Sequence, residues 1–209
     1  MVYTRRMSFD TLGTLFHSQA RVKIMRLFLL NPEAVLTPAM VVARAGSTTG
    51  TTRKELALLA RADFIKRKKI KNGKKTIEGW GLHQGFEYQD ALENLLFGTE
   101  FINTDDLSKR FKRAGKIKLL LLSGVFRRDP SSRLDLLIVG DNLKRTAIDR
   151  IIRSLEAEIG KELAYAVFET PEFVYRASMY DKLIRDVIDF PHMKVINAGS
   201  LLEQVPQIN

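Results

Sequence analysis

The sequence predicts a two-domain chain of mixed class, α+β in its first part and layered α/β in its second. Three observations carry this. Residues 17–62 hold three stretches with apolar side chains at helical spacing, followed at once by a lysine-rich hairpin pattern around Asn72-Gly73. Residues 116–196 alternate short apolar runs with longer amphipathic ones, the order of strands interleaved with helices. The charge is also uneven. Residues 1–97 hold 16 Lys and Arg against 8 Asp and Glu, a balance of +8, whereas residues 98–209 hold 18 against 16, a balance of +2.

In the first part, residues 17–30 read as a helix capped by Ser18, with Ala20, Ile24, Leu27 and Phe28 on one side. Asn31-Pro32 ends it, because proline disfavours helical backbone in the residue before it. Thr37-Pro38 starts a second helix as a cap followed by proline at the first helical position, and Gly46 stops it. A third helix begins within Ser47-Thr48-Thr49 and runs to about Ala62, with Leu56, Leu59 and Ala60 inward. Two basic strands follow, joined by Asn72-Gly73, a pair that tolerates the positive φ of a type I′ turn. Trp80 reads as a packing residue on this hairpin. His17 and His83 have no carboxylate or histidine at ligand spacing and read as structural or surface residues.

Residues 86–97 form an amphipathic helix that either packs on its own domain or pairs with a second copy. Pairing is the preferred reading. Asn103-Thr104-Asp105-Asp106 caps a helix over residues 107–114, which Gly115 stops. Buried strands are expected at 116–122 and 134–139, a helix at 143–159 and a strand at 163–168. One helix is expected from Thr170 to about Ile188, and a short last strand at 193–196. The expected domains are therefore 10–85, a helical connector at 86–114, and 115–209.

Composition excludes several classes. A length of 209 residues suits one large or two small domains, and 45% hydrophobic residues suffice for a core. With no cysteine there is no disulfide framework and no thiolate metal site, which fits a reducing compartment. Residues 1–10 are basic without an apolar centre, unlike a secretory signal, and the longest apolar run, residues 119–122, is too short to cross a bilayer. A cytoplasmic protein is expected. The basic first part calls for a polyanion. A membrane surface would favour a basic amphipathic helix, but here the charge is densest on the hairpin.

Three short helices and then a basic hairpin resemble, in order and spacing, a winged helix-turn-helix over about residues 15–84. The segment from Thr37-Pro38 to Gly46 resembles the second helix of that family, and residues 47–65 its recognition helix running into the wing. The resemblance implies double-stranded DNA as partner. Thr48, Thr49, Thr51, Thr52, Arg53 and Lys54 would lie near base edges, Arg53 being the candidate for a bidentate guanine contact. Lys66, Arg67, Lys68, Lys69, Lys71, Lys74 and Lys75 of the wing would neutralise phosphates.

The stretch Leu121-Leu122-Ser123-Gly124, with Ser132-Arg133-Leu134-Asp135 leading into the next strand, resembles the core of the small nucleotidyltransferase superfamily. In that family a strand ends in Gly-Ser, a turn leads to an Asp-x-Asp pair, and a later strand gives a third carboxylate; together these hold a triphosphate and two metal ions. Here Gly124 and Asp135 fit. Val125 stands at the serine position, and Arg133 stands where the first aspartate should be. No carboxylate falls within residues 163–168, and Glu162 lies at the edge. The resemblance therefore implies a degenerate domain without catalytic residues, metal or cofactor. Gly124, Arg127, Arg128, Arg133 and Asp135 remain as an anion site for a nucleotide-like effector, or as a solvated loop. A DNA-binding regulator, dimeric, follows as the leading expectation. An active nucleotidyltransferase modifying protein or RNA, and an antitoxin-like interaction protein, are the alternatives.

Overall fold

A computed structural model describes residues 9–72, 75–98, 102–129 and 131–205. It is a mixed α and β structure whose chain divides into two compact units, Met1–Asn103 with Arg153–Glu162, and Thr104–Ile152 with Leu163–Asn209. The residues expected to form a connector are thus shared between the units, with the boundary at 103/104. Among the described residues no helix is long and apolar enough to cross a membrane.

The first unit opens with α1 (Phe9–Leu15) and α2 (Gln19–Leu29), then α3 (Pro38–Ala45) and α4 (Thr49–Arg61). The ends of the last three lie at the capping residues that the sequence displays. Ser18 accepts the Arg21 amide, Thr37 accepts the Met40 amide ahead of Pro38, and Gly46 closes α3 at φ 57°. Thr48 caps α4. Helix α1 was not expected. An antiparallel hairpin, β1 (Ile65–Asn72) and β2 (Lys75–Leu82), follows α4. Asn72 pairs with Lys75, so the ladder is offset from the expected Asn72-Gly73 turn, and residues 73–74 lie outside the described residues.

The hairpin gains a third, short neighbour, because Leu36 and Trp80 exchange backbone hydrogen bonds at 2.8 Å in both directions. Gly79 makes room for this. A Cβ there would stand 2.6 Å from the Leu36 carbonyl oxygen, closer than any side chain tolerates. Phe28, Val41, Leu56, Leu59, Phe64 and Leu82 form the centre of the core, and Trp80 packs against it as expected. Helix α5 (Gln89–Leu96) also lies on this core, with Leu96 fully buried and Phe86 and Leu92 partly so. Of the apolar residues expected on this helix, Leu92 and Leu96 thus pack on their own unit, while Ala91 and Leu95 stay exposed.

One guanidinium terminates two helices of this unit. Arg26, 1% exposed, donates to the Leu96 carbonyl at 2.7 and 3.1 Å and to the Glu158 carbonyl at 3.4 Å. Both are last-turn carbonyls without helical partners, of α5 and of α7 (Arg145–Ile159), and both lie at negative dipole ends. Burial lowers the Arg26 pKa from its ordinary value to about 10, with Glu158 acting against the shift. Asn31 likewise donates to the Leu27 and Gly160 carbonyls at 2.7 and 2.8 Å.

The second unit contains α6 (Thr104–Lys112), starting three residues before the expected point, then β3 (Lys116–Leu122) and β4 (Leu136–Asp141). The first part of α7, β5 (Tyr165–Glu169), α8 (Thr170–Ser178), α9 (Lys182–Ile188) and β6 (Met193–Asn197) complete it. The sheet order is β5-β4-β3-β6, with β4 and β5 parallel and the other pairs antiparallel. Leu119, Leu121, Leu137, Val139 and Phe168 pack on one face against Phe173, Ile184 and Val187. Leu120, Leu122, Leu136 and Ile138, pointing the other way, are also fully buried. Burial on both faces explains the unbroken apolar runs. The single helix expected over 170–188 is broken, because Tyr180 takes φ 54° and Asp181 caps α9 by accepting the Leu183 amide at 2.9 Å.

Candidate functional site

The start of α4 is built from hydroxyls. Thr48 accepts the Thr51 amide at 3.2 Å and donates to the Thr51 hydroxyl at 2.9 Å. Ser47 and Thr52 share a hydrogen bond of 2.6 Å. Thr52 is only 1% exposed and faces the core, so the expectation that it meets DNA is corrected. Thr48, Thr49, Arg53 and Lys54 are exposed and Thr51 is half-buried.

The exposed face extends beyond the residues expected from the sequence. Ala57, Leu58 and Arg61 continue it, with Thr49, Arg53, Ala57 and Arg61 each one turn apart. The signal was the i, i+4 spacing itself. Among the described residues no carboxylate pairs with Arg53, Lys54 or Arg61 within 4 Å. On the inner side Glu55, 7% exposed, accepts from Arg21 at 2.7 Å, and Arg21 also donates to the Phe16 carbonyl at 2.8 Å. This acid is thereby turned away from the outer face.

The hairpin cations have more company. Lys66 donates to His83 Nε2 at 2.9 Å and lies 3.5 Å from Asp63. Because an ammonium only donates, His83 Nε2 accepts and Nδ1–H is left to Asp63, whose backbone carbonyl is 3.0 Å away. Lys69 pairs with Glu78 across the ladder, and this hydrogen-bonded partner holds the Glu78 carboxyl below its ordinary pKa. The Arg67 guanidinium stacks 4.6 Å above the Trp80 ring. The Lys68 stem lies over Gly81. The side chains of Lys71, Lys74 and Lys75 lie outside the described residues.

In the second unit, the loop after β3 and the start of β4 close on each other. Asp135, 7% exposed, accepts the Val125 amide through Oδ1 at 2.7 Å and the Ala164 amide through Oδ2 at 2.9 Å. The Ser123 hydroxyl donates to the Leu134 carbonyl at 2.6 Å. Gly124, at φ 51°, leaves no room for a Cβ beside the Asp135 carboxylate. The groups at the strand-end positions thus already have protein partners.

The expected arginine cluster is divided. Arg133 Nε lies 2.9 Å from Asp186, a partner that the sequence did not suggest. Arg127 and Arg128 are exposed at the end of a short 3₁₀ turn, Gly124–Arg127. Strand β5 runs one residue past its expected end at residue 168 and closes with the carboxylate Glu169. Glu169 pairs with Gly140, at the other end of β4 from Asp135, roughly 16 Å along the strand at ~3.3 Å per residue. The two cannot share a metal. Among the described residues, no group of three or more His, Asp or Glu is arranged to hold a metal ion. No family model, no curated protein and no solved structure matches this chain.

Proposed function

We propose that this chain is a DNA-binding transcriptional regulator. In this reading the first unit is a winged helix-turn-helix, with α4 as recognition helix and β1–β2 as wing. The second unit is a nucleotidyltransferase-like domain that performs no transfer and serves effector sensing or pairing of two copies. The observation that carries the reading is the outer face of α4. Arg53, Lys54 and Arg61 stand exposed beside Thr48 and Thr49, directly before a hairpin that presents Lys66, Arg67 and Lys69 to solvent. A duplex needs both kinds of group, hydroxyls and a guanidinium at base edges and cations along phosphates. The tethered Asp135 supports the inactive second unit, because its oxygens already accept backbone amides. An effector would alter DNA affinity only by binding one arrangement of the chain better than another.

The test is DNA binding by fluorescence anisotropy over a range of salt. Replacing Lys68, Lys69 and Lys71 together by Ala should flatten the log-log slope by about 2, roughly one unit each for Lys68 and Lys71, because Lys69 is already held by Glu78. An unchanged slope removes the hairpin from the interface. Loss of binding with Arg53→Ala on one selected sequence, but not on unrelated DNA, identifies α4 as the reading element.

A further inference from the structure

The outer face of α4 has a centre and two arms. Thr52, Glu55, Leu56 and Leu59 are buried, and at roughly 100° per residue the line opposite them passes close to Ala57. Arg53 lies one turn before Ala57 and Arg61 one turn after it. They lean roughly 40° to opposite sides of Ala57, because four residues overshoot a turn. At ~1.5 Å of rise per residue the two positions stand roughly 12 Å apart along the axis. The middle of the face is apolar, since Ala57 is exposed and its neighbour Leu58 is 41% exposed. The acids nearest in sequence are engaged elsewhere. Glu55 is held by Arg21 at 2.7 Å, and Asp63 stands 3.5 Å from Lys66 and 3.2 Å from His83.

We infer that Arg53 and Arg61 read two G·C pairs three or four steps apart in one major groove, with Ala57 against a thymine methyl between them. The inference rests on the duplex-reading role proposed for α4 and deepens it by naming the class of sequence. Length sets the spacing. Roughly 12 Å of helix covers three to four base-pair steps of ~3.4 Å, so the two arginines fall on different base pairs. Their opposite lean directs them to different sides of a groove ~12 Å wide. Chemistry sets the bases. A guanidinium offers two parallel donors, which match the O6 and N7 acceptors of guanine. The apolar centre decides between bases and phosphates. A phosphate gains no hydrogen bond from Ala57 or Leu58, whereas the C5-methyl of thymine is an apolar group displayed on the floor of the groove.

Selection by the full chain from a pool of random duplexes, followed by anisotropy on the selected sequence, tests this. The wild-type chain should enrich two G·C pairs at that spacing. Changing either pair to A·T should weaken wild-type binding by about 10–100-fold, the value of one bidentate contact. Arg61→Ala should become indifferent to one of these changes and stay sensitive to the other, and Arg53→Ala should show the reverse. Arg61→Lys should not restore the lost preference, because an ammonium cannot make the paired contact. Both arginines are exposed, so circular dichroism and the thermal midpoint of each variant should match wild type. A selected site without the two pairs, or an Arg61→Ala loss that is equal on all duplexes, overturns the inference and leaves DNA binding standing. A wild-type chain that binds no duplex at low salt overturns the inference together with the proposed function.

Discussion

Asp135→Asn changes almost no volume and separates two roles for the one carboxylate that fits the nucleotidyltransferase pattern. Both carboxylate oxygens accept a backbone amide, from Val125 at 2.7 Å and Ala164 at 2.9 Å, inside a site that is 7% exposed. Asparagine has one acceptor oxygen. Whichever amide that oxygen serves, the side-chain NH₂ is aimed at the other. The change removes one charge-assisted hydrogen bond and leaves a buried N–H without an acceptor, a combined cost of about 2–4 kcal/mol. In a unit of this size that lowers the thermal midpoint by roughly 10–25 °C, at ~4–8 °C per kcal/mol. Urea unfolding followed by far-ultraviolet circular dichroism measures it. A carboxylate kept for metal would behave oppositely, because neutralising an unfilled ligand costs nothing and relieves repulsion. A variant within about 0.5 kcal/mol of wild type, or more stable, refutes the tether.

Arg26→Met should destabilise the first unit by about 2–4 kcal/mol, measured by urea unfolding monitored through Trp80. The two helix-end carbonyls left without their donor cost about 1–3 kcal/mol each, and relief of the guanidinium's burial, which lowers its pKa to about 10, offsets part of that. The same residue sets a sign with pH. Its pKa is lower folded than unfolded, so the unfolded chain binds the proton more tightly, and this group's contribution to stability rises as pH climbs through about 10. Arg26→Met should lack that rise. Gly160→Ala should cost at least ~2 kcal/mol in the same assay, because φ is 89° and the added Cβ would stand 2.5 Å from the Leu27 nitrogen.

Much of the first unit was legible because its helix ends carry their own chemistry. Ser18, Thr37-Pro38, Gly46 and Thr48 each satisfy backbone groups within a few residues, so local sequence suffices. The hairpin register was not legible, because a distant segment takes part in it. Leu36 joins β2 at Trp80, and Gly79 admits the approach. With Asn72-Gly73 at the centre of the turn, Lys69 would face Thr76; in the observed ladder it faces Glu78 and is paired. The break at Tyr180 was hidden for a related reason. Residues 170–188 keep a helical apolar spacing across it, and only Asp181 betrays a new start. In the second site, Asp135 was found but not its use, since Val125 and Ala164 are brought to it by the sheet and not by sequence spacing.

The charge excess of the first unit is not uniformly available, and this moves the weight of the proposed interface from the hairpin to the helix. Lys66 and Lys69 already hold carboxylates, and Arg67 lies on Trp80. A phosphate approaching the two lysines must displace Asp63 or Glu78, which adds only a difference between two exposed, salt-screened pairs. Arg53 and Lys54 meet no such competitor among the described residues, so each ion pair they form is a full gain. The helix should then dominate selectivity while the hairpin adds a smaller, sequence-blind part. Removing Glu78 by Glu78→Gln should free Lys69 and strengthen binding to all DNA alike, with a steeper salt slope. Arg53→Ala should lower the ratio of specific to unrelated affinity by about 10–100-fold, the value of one lost bidentate base contact. Equal losses on both kinds of DNA would mean that Arg53 only touches phosphate and that α4 does not read bases through it.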